Sequence, residues 1–197
     1  MNDRFRDRMR RERMDVILRE ASVLAADHGW GALRVEDIAQ RVGVAKGTIY
    51  LDFKDKSELV VAASERSMNE LLALLRAAVD DGVEGEGLNA ALDLLSRLPV
   101  EQPHLTALIG WGRPEGAGEG TMAAVEGYLG ELIRGAQARE AVPAEVDTEF
   151  AAQLLLAAVA VPAWSRIAIT QGPEALLRQM ELAVPAAASA LGERTAR

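Results

Sequence analysis

The chain has 197 residues, a formal net charge of −8, 49% hydrophobic residues, two histidines and no cysteine. This composition excludes a disordered polymer, and the missing thiols exclude disulfides, thiol catalysis and zinc–cysteine sites. The longest apolar stretch, residues 151–163, is interrupted by Gln153 and Pro162 and falls short of the roughly 18 residues a membrane span needs; the arginine-rich start lacks a signal-like apolar run, so a cytoplasmic protein is expected.

Met14, Ile17, Leu18, Ala21, Leu24 and Ala25 recur at helical spacing, which predicts a first helix from about residue 8 to 28, ended by Gly29 and plugged at its base by Trp30. Ahead of the core pattern, Arg4, Arg6, Arg8, Arg10, Arg11 and Arg13 are diluted by Asp3, Asp7 and Glu12, and this arm is expected to be disordered without DNA. Val35, Ile38, Ala39 and Val42 predict a short second helix, and Gly43 supplies the positive φ of a tight reversal. A third helix is expected over residues 46–53, with Val44, Ile49 and Phe53 facing a small core and Lys46, Gly47, Thr48 and Tyr50 facing out. Two short amphipathic helices separated by one glycine form the pattern of a helix-turn-helix, whose second helix enters a DNA groove.

Asp55 followed by Glu58 three positions later is a capping pair that starts a fourth helix running to about residue 79. Residues 81–87 hold three glycines and several acids and form a break. Further helices are predicted near residues 88–98, 101–110, 122–139, 144–170 and 173–191, with kinks at Pro162 and Pro185 and a mobile loop over the glycine-rich 112–120. No strand-like alternation and no internal repeat is present, so the fold class is all-α.

The charge is unevenly placed. Residues 1–66 carry 13 basic and 12 acidic side chains, whereas residues 67–197 carry 9 and 18, and all three lysines, Lys46, Lys54 and Lys56, fall within eleven residues of one another. Local cation density beside a reading helix matters more for phosphate contact than the total charge. Asp52 lies in the same neighbourhood; it either points aside or penalises non-specific DNA.

Gly29-Trp30, Leu33 through Ala39, Val42-Gly43-Val44, Lys46 through Tyr50, Phe53 and Lys54 through Leu59 together resemble the N-terminal domain of tetracycline-repressor-type (TetR family) transcriptional regulators. The departures are Arg34 and Ala45, where that family often places capping hydroxyls whose loss costs about 1 kcal/mol each, and Asp52, where it often places an aromatic or histidine. The resemblance implies a homodimer in which an N-terminal three-helix unit binds operator DNA and a variable C-terminal domain binds a small ligand. Residues 10–62 are then the DNA-binding domain, with the helix-turn-helix at about 34–53. Residues 63–197 form a helical ligand-binding and dimerisation domain, joined to it by the long fourth helix.

The expected DNA-facing set is Arg34, Lys46, Gly47, Thr48, Tyr50, Lys54 and Lys56, with the lysines of the fourth helix's first turn assigned to phosphate positioning. Phe150, Leu154, Leu155, Ala158, Leu176, Leu177, Met180 and Val184 form apolar stripes suited to a four-helix interface between two copies. His104, Trp111, Met122, Tyr128 and Trp164 are the candidates for lining a cavity for a small, mostly hydrophobic effector. No cofactor or metal is expected, because the two histidines are far apart with no second ligand at helical spacing. The expected function is a ligand-responsive regulator, a repressor that releases a palindromic operator. A chromosome-organising DNA-binding protein of the same fold is the alternative. An all-helical enzyme is disfavoured by the lack of any phosphate loop, metal cluster or nucleophile–base pattern.

Overall fold

A computed structural model describes residues 3–83, 85–110, 114, 116 and 120–159. Its regular elements are α1 (Asp3–Ala32), α2 (Val35–Val42), α3 (Lys46–Ile49), α4 (Lys56–Asp80), α5 (Gly87–Glu101), α6 (Pro103–Gly110), α7 (Gly120–Ala138) and α8 (Thr148–Val159). Among the described residues there is no strand, and no helix is long and apolar enough to cross a membrane.

The first helix starts at Asp3, not near residue 8, so the arginine-rich arm is helical rather than disordered. An Arg8–Glu12 pair one turn apart and a clamp on Arg10 and Arg13, described below, supply the order. At the other end, Gly29 has φ 81 and breaks the regular turn, as its sequence position predicts. Ile17, Ala21 and Ala25 of α1 meet Ile38 of α2, Ile49 of α3 and Leu59 and Ala63 of α4 in a fully buried head core. Each large aliphatic side chain buried there contributes about 1.5–3 kcal/mol.

The reversal between α2 and α3 follows from Gly43, whose φ of 75 lets the Val44 N–H reach the Ala39 carbonyl (3.0 Å) and its own N–H reach Gln40 (3.3 Å). α3 is one turn long, shorter than the predicted 46–53. Ala45 gives it no side-chain cap and Gly47 weakens its interior, so the chain relaxes into turns after Tyr50. The N–H groups of Asp52 and Phe53 still both donate to the Ile49 carbonyl, at 3.0 Å each, which keeps Phe53 in the core.

α4 opens on its predicted cap: the Asp55 carboxylate accepts the Glu58 N–H (2.9 Å), and the Glu58 carboxylate accepts the Lys54 N–H (2.5 Å). At 1.5 Å per residue its 25 residues span about 38 Å, enough to run from head to body. It packs on α1 in the head and on α5, α6 and α7 in the body, while α6 also packs on α1. The α1–α4 crossing buries a hydroxyl pair, Ser22 and Ser67, at 2.9 Å, with both also bonded to the Ala63 carbonyl.

In the body, α6 begins on Pro103, where the missing N–H is harmless. α8 begins at Thr148 rather than 144, because the Asp147 carboxylate accepts the N–H groups of Glu149 and Phe150, both at 3.0 Å, and fixes the start. The predicted continuation of that helix to 170, the last helix over 173–191, the kinks at Pro162 and Pro185 and most of the glycine-rich 112–120 lie outside the described residues.

Candidate nucleic-acid interface

The turn that α2 and Gly43 hold out presents α3 with Ile49 buried and Lys46, Gly47 and Tyr50 exposed, while Thr48 is half-buried. Lys46 donates to the Glu36 carboxylate at 2.5 Å and lies 5.7 Å above the Tyr50 ring. The hydrogen bond to Glu36 holds the Lys46 ammonium above the usual lysine range, and Glu36 is correspondingly held below the usual carboxylate range. Both groups are exposed, so a phosphate or base edge can take the place of Glu36 with little desolvation.

Gly47 has no protein reason to be glycine. A Cβ built there meets nothing within 4 Å, and its φ is not in the left-handed region. Relief of crowding between helices is therefore not its role. Glycine inside a helix destabilises by about 0.5–1 kcal/mol relative to alanine, and no crowding within the protein requires that penalty here.

The other members of the predicted set divide. Arg34 is exposed at the start of α2 and, as its residue type implies, makes no side-chain cap. Lys54 is exposed immediately ahead of α4, beside the positive end of that helix. Lys56 is half-buried and donates to the Gly31 carbonyl at 3.1 Å, which ties the start of α4 to the end of α1; sequence reasoning gave it only a phosphate. Tyr50, expected to face out, is 41% exposed, and its neighbour Leu51, which the sequence reading passed over, is 75% exposed. Leu51 extends the outward face with apolar surface of the kind that can meet a thymine methyl.

Asp52 points aside. Its carboxylate, 1% exposed, accepts from Arg10 Nε (2.8 Å) and from Arg13 Nε (3.1 Å) and Nη2 (2.7 Å). Burial alone would raise its pKa, but the arginine hydrogen bonds outweigh it and hold the carboxyl below the usual range. The two arginines were visible in sequence at i, i+3 spacing; their shared acid, 39 and 42 residues away, was not.

In the body, His104 and Tyr128 meet α4 at different turns. His104 on α6 meets α4 at Glu70, with Nε2 3.9 Å from the carboxylate, whereas Tyr128 on α7 meets α4 at Arg76, 5.6 Å from the ring. Those positions on α4 are about 9 Å apart along the axis. Met122 packs half-buried against the core, and Trp111 and Trp164 lie outside the described residues. Of the predicted interface stripe, Leu155 is buried in the body's own core, while Phe150 is 59% exposed and Leu154 and Ala158 are half-buried. Leu176, Leu177, Met180 and Val184 lie outside the described residues. No group of three or more His, Asp or Glu side chains suited to a metal occurs among the described residues.

Residues 17–63 match the family described as bacterial regulatory proteins, tetR family. Over 97 residues the chain is 34% identical to the HTH-type transcriptional repressor KstR of Mycolicibacterium smegmatis, a match covering 49% of this chain and 48% of that protein. The chain thus spans about half the length of the curated relative it matches. Among solved structures it resembles the transcriptional regulator FadR from Bacillus subtilis in complex with stearoyl-CoA, with a TM-score of 0.69 at 16% identity over 88% of this chain and 97% of that one. It also resembles AibR in complex with isovaleryl coenzyme A and operator DNA, with a TM-score of 0.60 at 19% identity over 75% and 84%. Likeness at that identity establishes the all-helical fold.

Proposed function

We propose, from the match of residues 17–63 to the tetR family of bacterial regulatory proteins, that the chain is a ligand-responsive transcriptional regulator, a repressor that binds a palindromic operator as a homodimer and releases it on binding a small, mostly hydrophobic effector. The observation that carries this reading is the outward face of α3. Lys46, Thr48 and Tyr50 flank a glycine around which the protein leaves open space, on a one-turn helix between α2 and α4. In a major groove, Lys46 and Thr48 meet base edges or phosphate, Gly47 permits close approach, and Arg34, Tyr50 and Lys54 meet the backbone. One such head reads few bases, which is why a second copy about 34–36 Å away along the duplex is needed.

Phe150 and Leu154 of α8, on the face of that helix away from Leu155, support the pairing of two copies through this region. The aliphatic interior of α5, α7 and α8 suits an apolar effector. Acyl-CoA thioesters, the molecules in the FadR and AibR complexes, are the first class to screen; their acyl tail suits that interior, whereas the polyanionic CoA moiety would lie outside it. The route from effector to DNA runs along α4 and through α6, the body helix that packs on α1. An effector that favours one arrangement of α4 over another shifts the spacing of the two heads.

Selection from random duplex DNA tests this reading. The expected product is a palindrome of roughly one to two helical turns. Lys54→Ala should weaken all sequences alike and flatten the salt dependence by about one unit, whereas Lys46→Ala should change the preferred sequence. A purified protein with no preference for any duplex at modest ionic strength sinks the regulator.

A further inference from the structure

From Arg4 to Glu12 every side chain of α1 is exposed, and the first fully buried one is Ile17. Yet the helix runs from Asp3 with no irregular residue before Gly29. An exposed helical end without an apolar anchor frays in water, so something else must fix it. Asp52 reaches it from the reading head: it stands in the turn between α3 and α4, three residues after Ile49, and accepts three hydrogen bonds from Arg10 and Arg13. Charge-assisted bonds of this kind, with the acceptor enclosed, are the strong ones, and they are directional. The acid is turned from the solvent toward α1, so it does not oppose phosphate. It neutralises part of the arginine pair instead, and Arg10 stays largely at the surface.

On the DNA-binding reading above, we propose that Asp52 is a specificity-determining positioning residue, which holds Arg10 and Arg13, and with them the amino-terminal turns of α1, in one register beside the recognition turn. Two unheld arginines would neutralise phosphates on any sequence, each adding about 0.9 to the salt slope. Held, they can contribute only where α3 is also seated. The quantity Asp52 controls is the ratio of operator to non-specific affinity, not affinity alone.

Four preparations test this: Asp52→Asn, Asp52→Glu, Arg10→Gln with Arg13→Gln, and that arginine pair combined with Asp52→Asn, the arginine changes being confined to partly or fully exposed positions of α1 so that the fold survives. In the DNA-free protein, amide exchange over residues 6–13 should quicken in Asp52→Asn and in the double arginine variant, and should slow again in Asp52→Glu. On DNA, Asp52→Asn should tighten binding to a scrambled duplex, steepen its salt slope by about one to two units, and lower the operator-to-scrambled ratio about tenfold. Added to the double arginine variant, Asp52→Asn should do nothing more. If Asp52→Asn does not fold, the double arginine variant decides: its ratio should fall through loss of operator affinity. An unchanged ratio, or an Asp52 effect that persists without the arginines, overturns the proposal. Wild-type protein without operator preference removes the regulator and this role together, while the DNA-free exchange still reports whether Asp52 holds the helix.

Discussion

In the head, Ile49 is fully buried two residues from Gly47, where an added Cβ would meet no protein atom within 4 Å. In the body, α5, α7 and α8 bury Leu95, Leu129 and Leu155, and the side chains beside them are again aliphatic or small. Short elements joined by a left-handed glycine leave each position a single task, either inward for packing or outward for contact. Long amphipathic helices leave many positions interchangeable, because any apolar side chain of suitable volume fills the stripe. Chemistry is therefore assignable residue by residue in the head and only by class in the body.

The largest test of that contrast deletes equal amounts of core from each region. Ile49→Ala and Leu129→Ala should each lower stability by about 2–5 kcal/mol in urea unfolding. Ile49→Ala should also abolish operator selection, since α3 loses the only buried side chain it contributes. Leu129→Ala, assayed where it remains folded, should select the same palindrome as the parent. A shifted palindrome in Leu129→Ala would mean that the body shapes the reading face directly and that the two regions are not separable.

Gly47→Ala sharpens the comparison inside the head by separating stability from binding. The helical φ and open surroundings predict a gain of about 0.4–1 kcal/mol in stability, because alanine narrows the unfolded ensemble without strain. Operator affinity should nonetheless fall by about tenfold, equivalent to roughly 1.4 kcal/mol. Alanine that binds as well as glycine would remove close backbone approach from the interface.

How much was legible before the structure follows the same division. The all-helical class, the reversal at Gly43, the inward turn of Ile49 and Phe53 and the Asp55–Glu58 cap are local consequences of residue type and spacing, and each is found. The length of α3 was overestimated because apolar spacing continues to Phe53 through turns that are not helix. The helical arm and the direction of Asp52 were not legible, since both depend on a pairing between positions about 40 residues apart. The Lys56–Gly31 hydrogen bond was not legible for the same reason: its partner is distant in sequence. His104 and Tyr128 illustrate the limit in the body, where an amphipathic pattern shows that a side chain points inward but not which neighbour it meets.

His104 supplies the smallest expected effect, at a body position whose chemistry can be isolated. Its Nε2 is buried without a hydrogen-bond partner, near Glu70 on α4, with Arg66 of α4 and Arg19 of α1 adding opposing positive charge. Burial pushes its pKa below histidine's ordinary value of about 6.5, and the attraction of Glu70 only partly offsets that. The folded state thus binds fewer protons than the unfolded state between the depressed folded pKa and about 6.5. Stability from this site is complete above that window and is lost as pH falls through it. Urea unfolding from pH 5 to 8 should show stability declining on the acid side in the parent and a flatter profile in His104→Leu. The variant should lose no stability at pH 8, because an unsatisfied buried nitrogen is removed along with the ring. Parallel profiles for the two proteins would show that protonation at the α1–α4–α6 junction is not what destabilises the fold in acid. Since α6 packs on α1, the same junction joins body to head, so repeating the pH series with operator affinity as the readout asks whether a change in the generic region is felt by the specific one.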